Sequence, residues 1–162
     1  MDEAPEKNVI TYQKLLEYAL WLIGQRRYSR GKLHEKLIKR GSDIVTIEAV
    51  LHRLKELAYV DDRKFAHDIT ENLHQRGKSK RYIALALRKR LIPEEDIHIA
   101  LDELTDNPEH IILLIQHYER RRPGSITDRD KRQKLMQSLI RKGFDYTHVQ
   151  EAIKLYQQSS DI

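Results

Sequence analysis

Asp61 and Asp62 are adjacent carboxylates, and paired carboxylates serve in acid–base catalysis and in metal binding. Neighbouring residues at the start of a helix point in different directions, so they do not readily share a proton or a metal ion. An aspartate at a helix start instead accepts backbone N–H bonds and suits the positive end of the helix dipole. We therefore predict that Asp61 and Asp62 cap a helix.

Three further side chains, His67, Glu71 and His74, share one predicted helical face at a spacing that suits metal ligands. The sequence contains no HExxH motif and offers no evident fourth ligand. It also lacks cysteine, which excludes thiolate zinc sites, thiol catalysis and disulfides. It contains no glycine-rich phosphate loop and no GxSxG motif. The sequence thus predicts a protein that is not an enzyme, with no catalytic residue, no metal site and no cofactor.

Runs of lysine and arginine close three predicted helices, and a further basic segment surrounds Tyr82. The candidate partner-binding residues are Lys39, Arg40, Lys78, Lys80, Arg81, Tyr82, Arg88, Lys89, Arg90, Arg141 and Lys142. Cations at helix C-termini are favoured by roughly 0.3–1 kcal/mol, so capping alone would place them there. Their recurrence also fits a basic stripe for an anionic partner, and both interpretations stay open. The net charge of +5 favours anionic partners in general.

The elements that position these residues are predicted to be helices throughout. In the first segment, Leu15, Ala19, Leu22 and Ile23 recur at the spacing of one helix face. No alternating run bounded by turn residues indicates a strand. No apolar run reaches the roughly 18 residues of a membrane span, and the N-terminus does not resemble a signal peptide. We expect a soluble, cytoplasmic protein whose residues 1–10 are flexible.

The sequence repeats itself about every fifty residues, so that Ser29, Leu33 and Leu37 align with Ser79, Ile83 and Leu87. A further displacement places Leu135 and Leu139 on the same pattern. This periodicity predicts an all-α tandem array of three three-helix repeats. The array is expected to be elongated, because each repeat contacts mainly its neighbours.

The repeats are predicted at residues 11–60, 61–106 and 107–162. Their helices are predicted at 11–27, 29–40 and 43–58, at 62–76, 79–91 and 93–105, and at 107–122, 128–142 and 145–158. Gly41 and Gly143 follow the second helices, where glycine readily adopts the left-handed conformation that ends a helix. The middle repeat has Leu91 at this position, which predicts a different turn before Pro93.

Two aromatic residues, Trp21 and Tyr82, are predicted to lie in different environments. Trp21, between two leucines on the first helix, is predicted to pack in the core or against the next repeat, whereas Tyr82 is predicted to be exposed.

The last helix of the middle repeat would be repelled by phosphates, which argues against its insertion into a DNA groove. Its acidic residues are Glu94, Glu95, Asp96, Asp102 and Glu103. The basic second helix is therefore the predicted binding face.

Four segments give the sequence a resemblance to a known family. Residues 59–66, YVDDRKFA, are similar to the L-[DN]-D-x-x-[FY]-A junction of the RecX family of recombinase regulators. Residues 28–41, 77–92 and 139–144 resemble three further family segments, each of which has a glycine as its last or next-to-last residue. The sequence departs from the family at Leu91, where glycine is usual, and at Tyr82, where arginine is common.

The resemblance implies a curved array that binds the RecA recombinase filament on DNA. It further implies a monomeric regulator in DNA repair and the SOS response, which mainly inhibits the ATPase and strand-exchange activities of RecA. The alternative is a helical-repeat protein that binds single- or double-stranded DNA directly, without sequence preference, through the backbone phosphates. Steeply salt-dependent binding to naked DNA would favour this alternative.

Overall fold

A computed structural model describes residues 11–102, 104 and 107–160. These residues form nine α-helices and no strand, which confirms the predicted all-α class. The helices are α1 (Tyr12–Gln25), α2 (Arg30–Arg40), α3 (Ile44–Glu56), α4 (Asp62–Gln75), α5 (Lys80–Arg88), α6 (Glu94–Leu101), α7 (Pro108–Arg121), α8 (Arg129–Arg141) and α9 (Tyr146–Ser160). Each begins and ends within a few residues of its predicted bounds. The segment 1–10, predicted to be flexible, lies outside the described residues.

Seven of the described helices follow a residue whose side chain accepts a backbone N–H bond from the first turn, including Asp61 before α4, Ser79 before α5 and Asp145 before α9. Ser29, Asp43, Asn107 and Asp128 accept these bonds over 2.9–3.1 Å. Such a cap is worth about 1 kcal/mol because it satisfies an N–H group that has no partner within the helix. The predicted start of α7, with Asn107 as the cap and Pro108 in the first turn, is confirmed.

The turn after α5 corrects the expectation that Leu91 forms a turn of its own kind. Leu91 has a φ of 54°, left-handed like Gly41 at 93° and Gly143 at 97°. The N–H groups of Leu91 and Ile92 donate to carbonyls three and five residues earlier, as those of Gly143 and Phe144 do. A leucine in this conformation costs roughly 1–2 kcal/mol, so packing around the turn must hold it there.

The described residues pack as two compact units. Unit 1 contains the described residues up to Asp68 together with Leu87–His98, and unit 2 contains Ile69–Ala86 with the described residues from Ile99 onward. Each of α4, α5 and α6 contributes residues to both units. The repeat boundaries after residues 60 and 106 therefore stay predictions.

Each unit has its own apolar core. In unit 1, α1 and α2 both pack on α3. The buried residues there are Leu15, Ala19, Leu22, Leu33, Leu37, Ile47, Val50, Leu51, Leu54 and Val60. In unit 2, α7 and α8 both pack on α9. Its buried residues are Ile111, Ile115, Ile126, Leu135, Leu139, Phe144, Val149, Ala152 and Ile153. Spacings of three and four residues thus direct one face of each helix inward, as the sequence pattern predicted.

Trp21 does not belong to the core, contrary to one of the two placements predicted for it. The buried face of α1 runs through Leu15, Ala19 and Leu22, and Trp21 is 59% exposed. Adjacent helix residues point about 100° apart, so the burial of Leu22 directs Trp21 toward solvent.

Candidate functional site

In unit 1, the start of α2 lies against the end of α5. The buried hydroxyl of Ser29 accepts a hydrogen bond from the Lys32 N–H at 3.1 Å and donates one to the carbonyl oxygen of Arg90. A Cβ atom added to Gly31 would lie 2.7 Å from both the Cβ and the carbonyl oxygen of Leu91. Only glycine permits this approach, and the same contact packs Leu91 in its left-handed turn.

In unit 2, the start of α5 meets the end of α8 in the same way. The Ser79 N–H donates to the carbonyl oxygen of Lys142 at 3.0 Å, and the Ser79 hydroxyl accepts from the Tyr82 N–H at 3.1 Å. A Cβ atom added to Gly143 would lie 2.7 Å from the Cβ of Tyr82 and closer still to the Ser79 hydroxyl. The correspondence of Ser29 and Ser79 in the sequence repeat therefore reflects a shared structural role.

Asp61 and Asp62 cap helices, as predicted. Asp61 accepts from the Lys64 N–H at 2.9 Å at the start of its own helix, whereas Asp62 accepts from the Arg30 N–H at 2.8 Å at the start of α2. Burial raises the pKa of Asp62, and the hydrogen bond from Arg30 opposes this rise. The second aspartate thus joins two helices of unit 1.

Three of the candidate partner-binding residues come together in unit 2. The Lys78 Nζ lies 4.2 Å from the centre of the Tyr82 ring, and the Lys142 Nζ donates to the carbonyl oxygen of Arg76 at 2.8 Å. Burial, and then the positive charge of Lys78, lower the pKa of Lys142. Two cations are therefore held close enough to repel each other, beside an aromatic ring.

Two other candidates are engaged within the chain. Arg88 forms a two-pronged ion pair with Glu94, with N–O distances of 2.7 and 2.9 Å. The Lys80 Nζ donates to the carbonyl oxygen of Leu104 at 3.3 Å. Arg88 thus pairs the basic helix α5 with the acidic helix α6.

The eleven candidates are distributed over both units. Unit 1 contains Lys39, Arg40, Arg88, Lys89 and Arg90, and unit 2 contains Lys78, Lys80, Arg81, Tyr82, Arg141 and Lys142. Lys39, Lys89 and Arg141 are exposed and form no ion pair within the part of the chain that the structure describes. These three cations are well placed to meet an outside partner.

Sequence reasoning missed an aromatic and cationic group in unit 1. The rings of Tyr18 and Trp21 are stacked, with centres 6.0 Å apart and planes 17° apart. The guanidinium carbon of Arg40 lies 4.9 Å from the centre of the Tyr18 ring. The three-residue spacing of the two aromatic residues on one helix was the signal available in the sequence.

Neither a metal site nor a membrane-spanning helix is present in the described parts of the chain. Among residues 11–102, 104 and 107–160, no three histidine, aspartate or glutamate side chains gather in a way that would hold a metal ion. No helix within those ranges is long and apolar enough to cross a membrane.

Tandem three-helix units have the architecture of a helical-repeat protein. Three family models match consecutive parts of the chain: RecX first three-helix domain at residues 16–54, second at 61–101 and third at 112–153. The regulatory protein RecX of Chlorobaculum tepidum is 33% identical over 141 residues, which are 86% of each chain. The chain therefore belongs to the RecX family.

Further relatives agree with this assignment. The regulatory protein RecX of Pelodictyon phaeoclathratiforme is 28% identical over 143 residues, 86% of this chain and 87% of its own. The crystal structure of RecX from Lactobacillus salivarius covers 91% of this chain and 97% of its own, with a TM-score of 0.71 and 24% identity. This structure supports the tandem three-helix fold.

Proposed function

We propose that this protein binds the RecA recombinase filament on DNA and lowers its ATPase and strand-exchange activities. The observation that carries the proposal is the match to three consecutive RecX domains, whose relatives bear the name of a regulatory protein. The proposed regulator is a cytoplasmic monomer that needs no metal ion or nucleotide of its own.

The exposed cations at the ends of α5 and α8 support a binding role over a capping role. The terminal carbonyl oxygens already have partners, because Arg90 accepts from the Ser29 hydroxyl and Lys142 from the Ser79 N–H. The positive start of a neighbouring helix also lies against each of these negative helix ends. Lys89 and Arg141 therefore have little left to stabilise within the chain, and we assign them to an anionic partner.

Lys78 and Lys142 support the same assignment through their mutual repulsion. Lys142 is partly buried, and the charge of Lys78 contributes to its lowered pKa. A phosphate or carboxylate beside both ammonium groups would relieve this repulsion and would raise the pKa of Lys142. Such anions occur both on acidic protein loops and on the DNA backbone.

Titration of the protein into RecA reactions on single-stranded DNA tests the proposal. We expect ATP hydrolysis and strand exchange to fall at ratios well below one regulator per RecA subunit. Unchanged rates of both reactions at saturating concentration would refute the proposal.

Binding to naked DNA separates the proposal from the alternative of direct DNA binding. A DNA-binding protein that contacts several phosphates loses affinity steeply as salt is raised. If the protein acted on RecA only at concentrations where it already coated the naked DNA, direct DNA binding would explain the inhibition instead.

A further inference from the structure

Tyr18, Trp21 and Arg40 form an aromatic platform on unit 1. Trp21 is the single tryptophan of the chain and is 59% exposed. It stacks on Tyr18, with 6.0 Å between the ring centres and 17° between the planes. Arg40 lies 4.9 Å from the centre of the Tyr18 ring. Tyr18 thus has stacking contacts with a ring and a cation, while Trp21 presents most of its surface to solvent.

Packing within unit 1 accounts for Tyr18, which lies against the core, but not for Trp21. The core side of α1 is completed by Leu15, Ala19 and Leu22, all of which are buried without help from Trp21. Large aromatic side chains favour burial, so an exposed tryptophan aligned with a second ring is an informative exception. Its flat surface suits another planar group.

Helix α2, which contributes Arg40 to the platform, is positively charged. It carries five cations and one carboxylate. That carboxylate, Glu35, is already paired with Lys32 at 2.8 Å. Lys36, Lys39 and Arg40 form no ion pair with any residue that the structure describes. A planar group that docks here would best be attached to a polyanion.

We propose that the aromatic platform stacks an unpaired base of single-stranded DNA, and that Lys36 and Lys39 contact the phosphates beside that base. Stacking on aromatic rings accepts any base, because every base has a π face, and arginine adds a cation–π contribution. A duplex hides these faces within its own stack, so the platform would favour single strands. This inference does not rest on the action proposed for RecA, since it concerns a direct contact to nucleic acid.

The fluorescence of Trp21 reports on this contact without any label. We expect a short oligothymidylate to quench the emission in a saturable way as the thymine ring stacks on the indole. An oligonucleotide of the same length that has abasic sites keeps the phosphates but removes the rings. We expect it to bind at least about five-fold more weakly and to leave the emission nearly unchanged.

Variants assign the effect to the platform, with binding followed by the anisotropy of a labelled oligothymidylate. Trp21→Ala should weaken binding by about five-fold or more, and Trp21→Phe should restore part of the affinity because it keeps a ring. Tyr59→Ala is the matched control, because Tyr59 is also exposed, at 55%, but lies outside the platform. Circular dichroism verifies that each variant is folded.

Three results would overturn the proposal. The first is equal affinity for the oligothymidylate and its abasic counterpart, which would mean that phosphates alone carry binding. The second is unchanged affinity of Trp21→Ala. The third is emission that responds to RecA protein and not to the oligothymidylate, which would make the platform a docking site for a protein.

Discussion

Replacement of Gly31 by alanine would change the contact between the start of α2 and the end of α5. In an ordinary helix this replacement is favourable by up to about 1 kcal/mol. Here the added methyl carbon would lie 2.7 Å from two atoms of Leu91, well inside the roughly 3.5–4.0 Å that carbon contacts prefer. Overpacking of this kind costs about 1–3 kcal/mol. We expect Gly31→Ala to lower the free energy of unfolding by a net ~1–2 kcal/mol.

Gly24 provides the matched control, because it is also a helical glycine and lies in α1. A Cβ atom at Gly24 would meet no other atom within 4 Å. The helix preference for alanine then acts alone, and Gly24→Ala should stabilise the protein by up to about 1 kcal/mol. The same chemical change should thus have opposite signs at the two positions.

Urea unfolding followed by circular dichroism measures both variants. In thermal unfolding of a chain of this size, a change of 1 kcal/mol in the free energy of unfolding corresponds to a shift of roughly 2–4 °C in Tm. A second variant, Gly31→Ala combined with Leu91→Gly, removes one of the two overlapping atoms and the left-handed leucine, and should recover part of the loss. If Gly31→Ala raised stability as Gly24→Ala does, the reasoning about this contact would be refuted.

Three other outcomes are expected. The triple variant Lys39→Glu, Lys89→Glu and Arg141→Glu should bind the RecA filament about ten-fold or more weakly at low salt, with a smaller loss at high salt. The control triple variant Lys14→Glu, Lys64→Glu and Lys154→Glu changes the net charge equally and should bind nearly as well as the unchanged protein. Burial raises the pKa of Asp62, so the contribution of Asp62 to the free energy of unfolding falls as the pH rises from 3.8 through the raised value. Asp62→Asn keeps an acceptor for Arg30, and urea titrations at several pH values should show a smaller fall in this variant. Protein treated with EDTA and returned to the RecA assay should inhibit as untreated protein does.

The sequence alone predicted the helices well, because their signals are local. A capping residue such as Asn107 needs only the next turn of its own helix, and the apolar spacing of α1 is visible within one segment. The capping role of Asp61 and Asp62 was accessible for the same reason. The sequence could not show that Asp62 caps α2 and not its own helix, because Arg30, whose N–H it accepts, is 32 residues away along the chain.

The features that the sequence did not predict depend on contacts between different helices. The conformation of Leu91 depends on the approach of Gly31, sixty residues earlier in the sequence. The pairing of Arg88 with Glu94 joins two helices across a turn, and the charges of each helix counted alone do not show it. Trp21 is exposed because the neighbouring Leu22 faces the core, and residue type alone does not show which of the two residues is buried.

The choice of cap residue follows from what each helix start faces. A serine hydroxyl can accept a bond from its own helix and donate one outward, as Ser29 does to the carbonyl oxygen of Arg90. An ionised aspartate only accepts, and its charge would be repelled by that oxygen. Asp43 and Asp128 accordingly cap helix starts where their carboxylates are exposed. Serine at a buried helix start in this fold therefore indicates that the end of another helix lies against it.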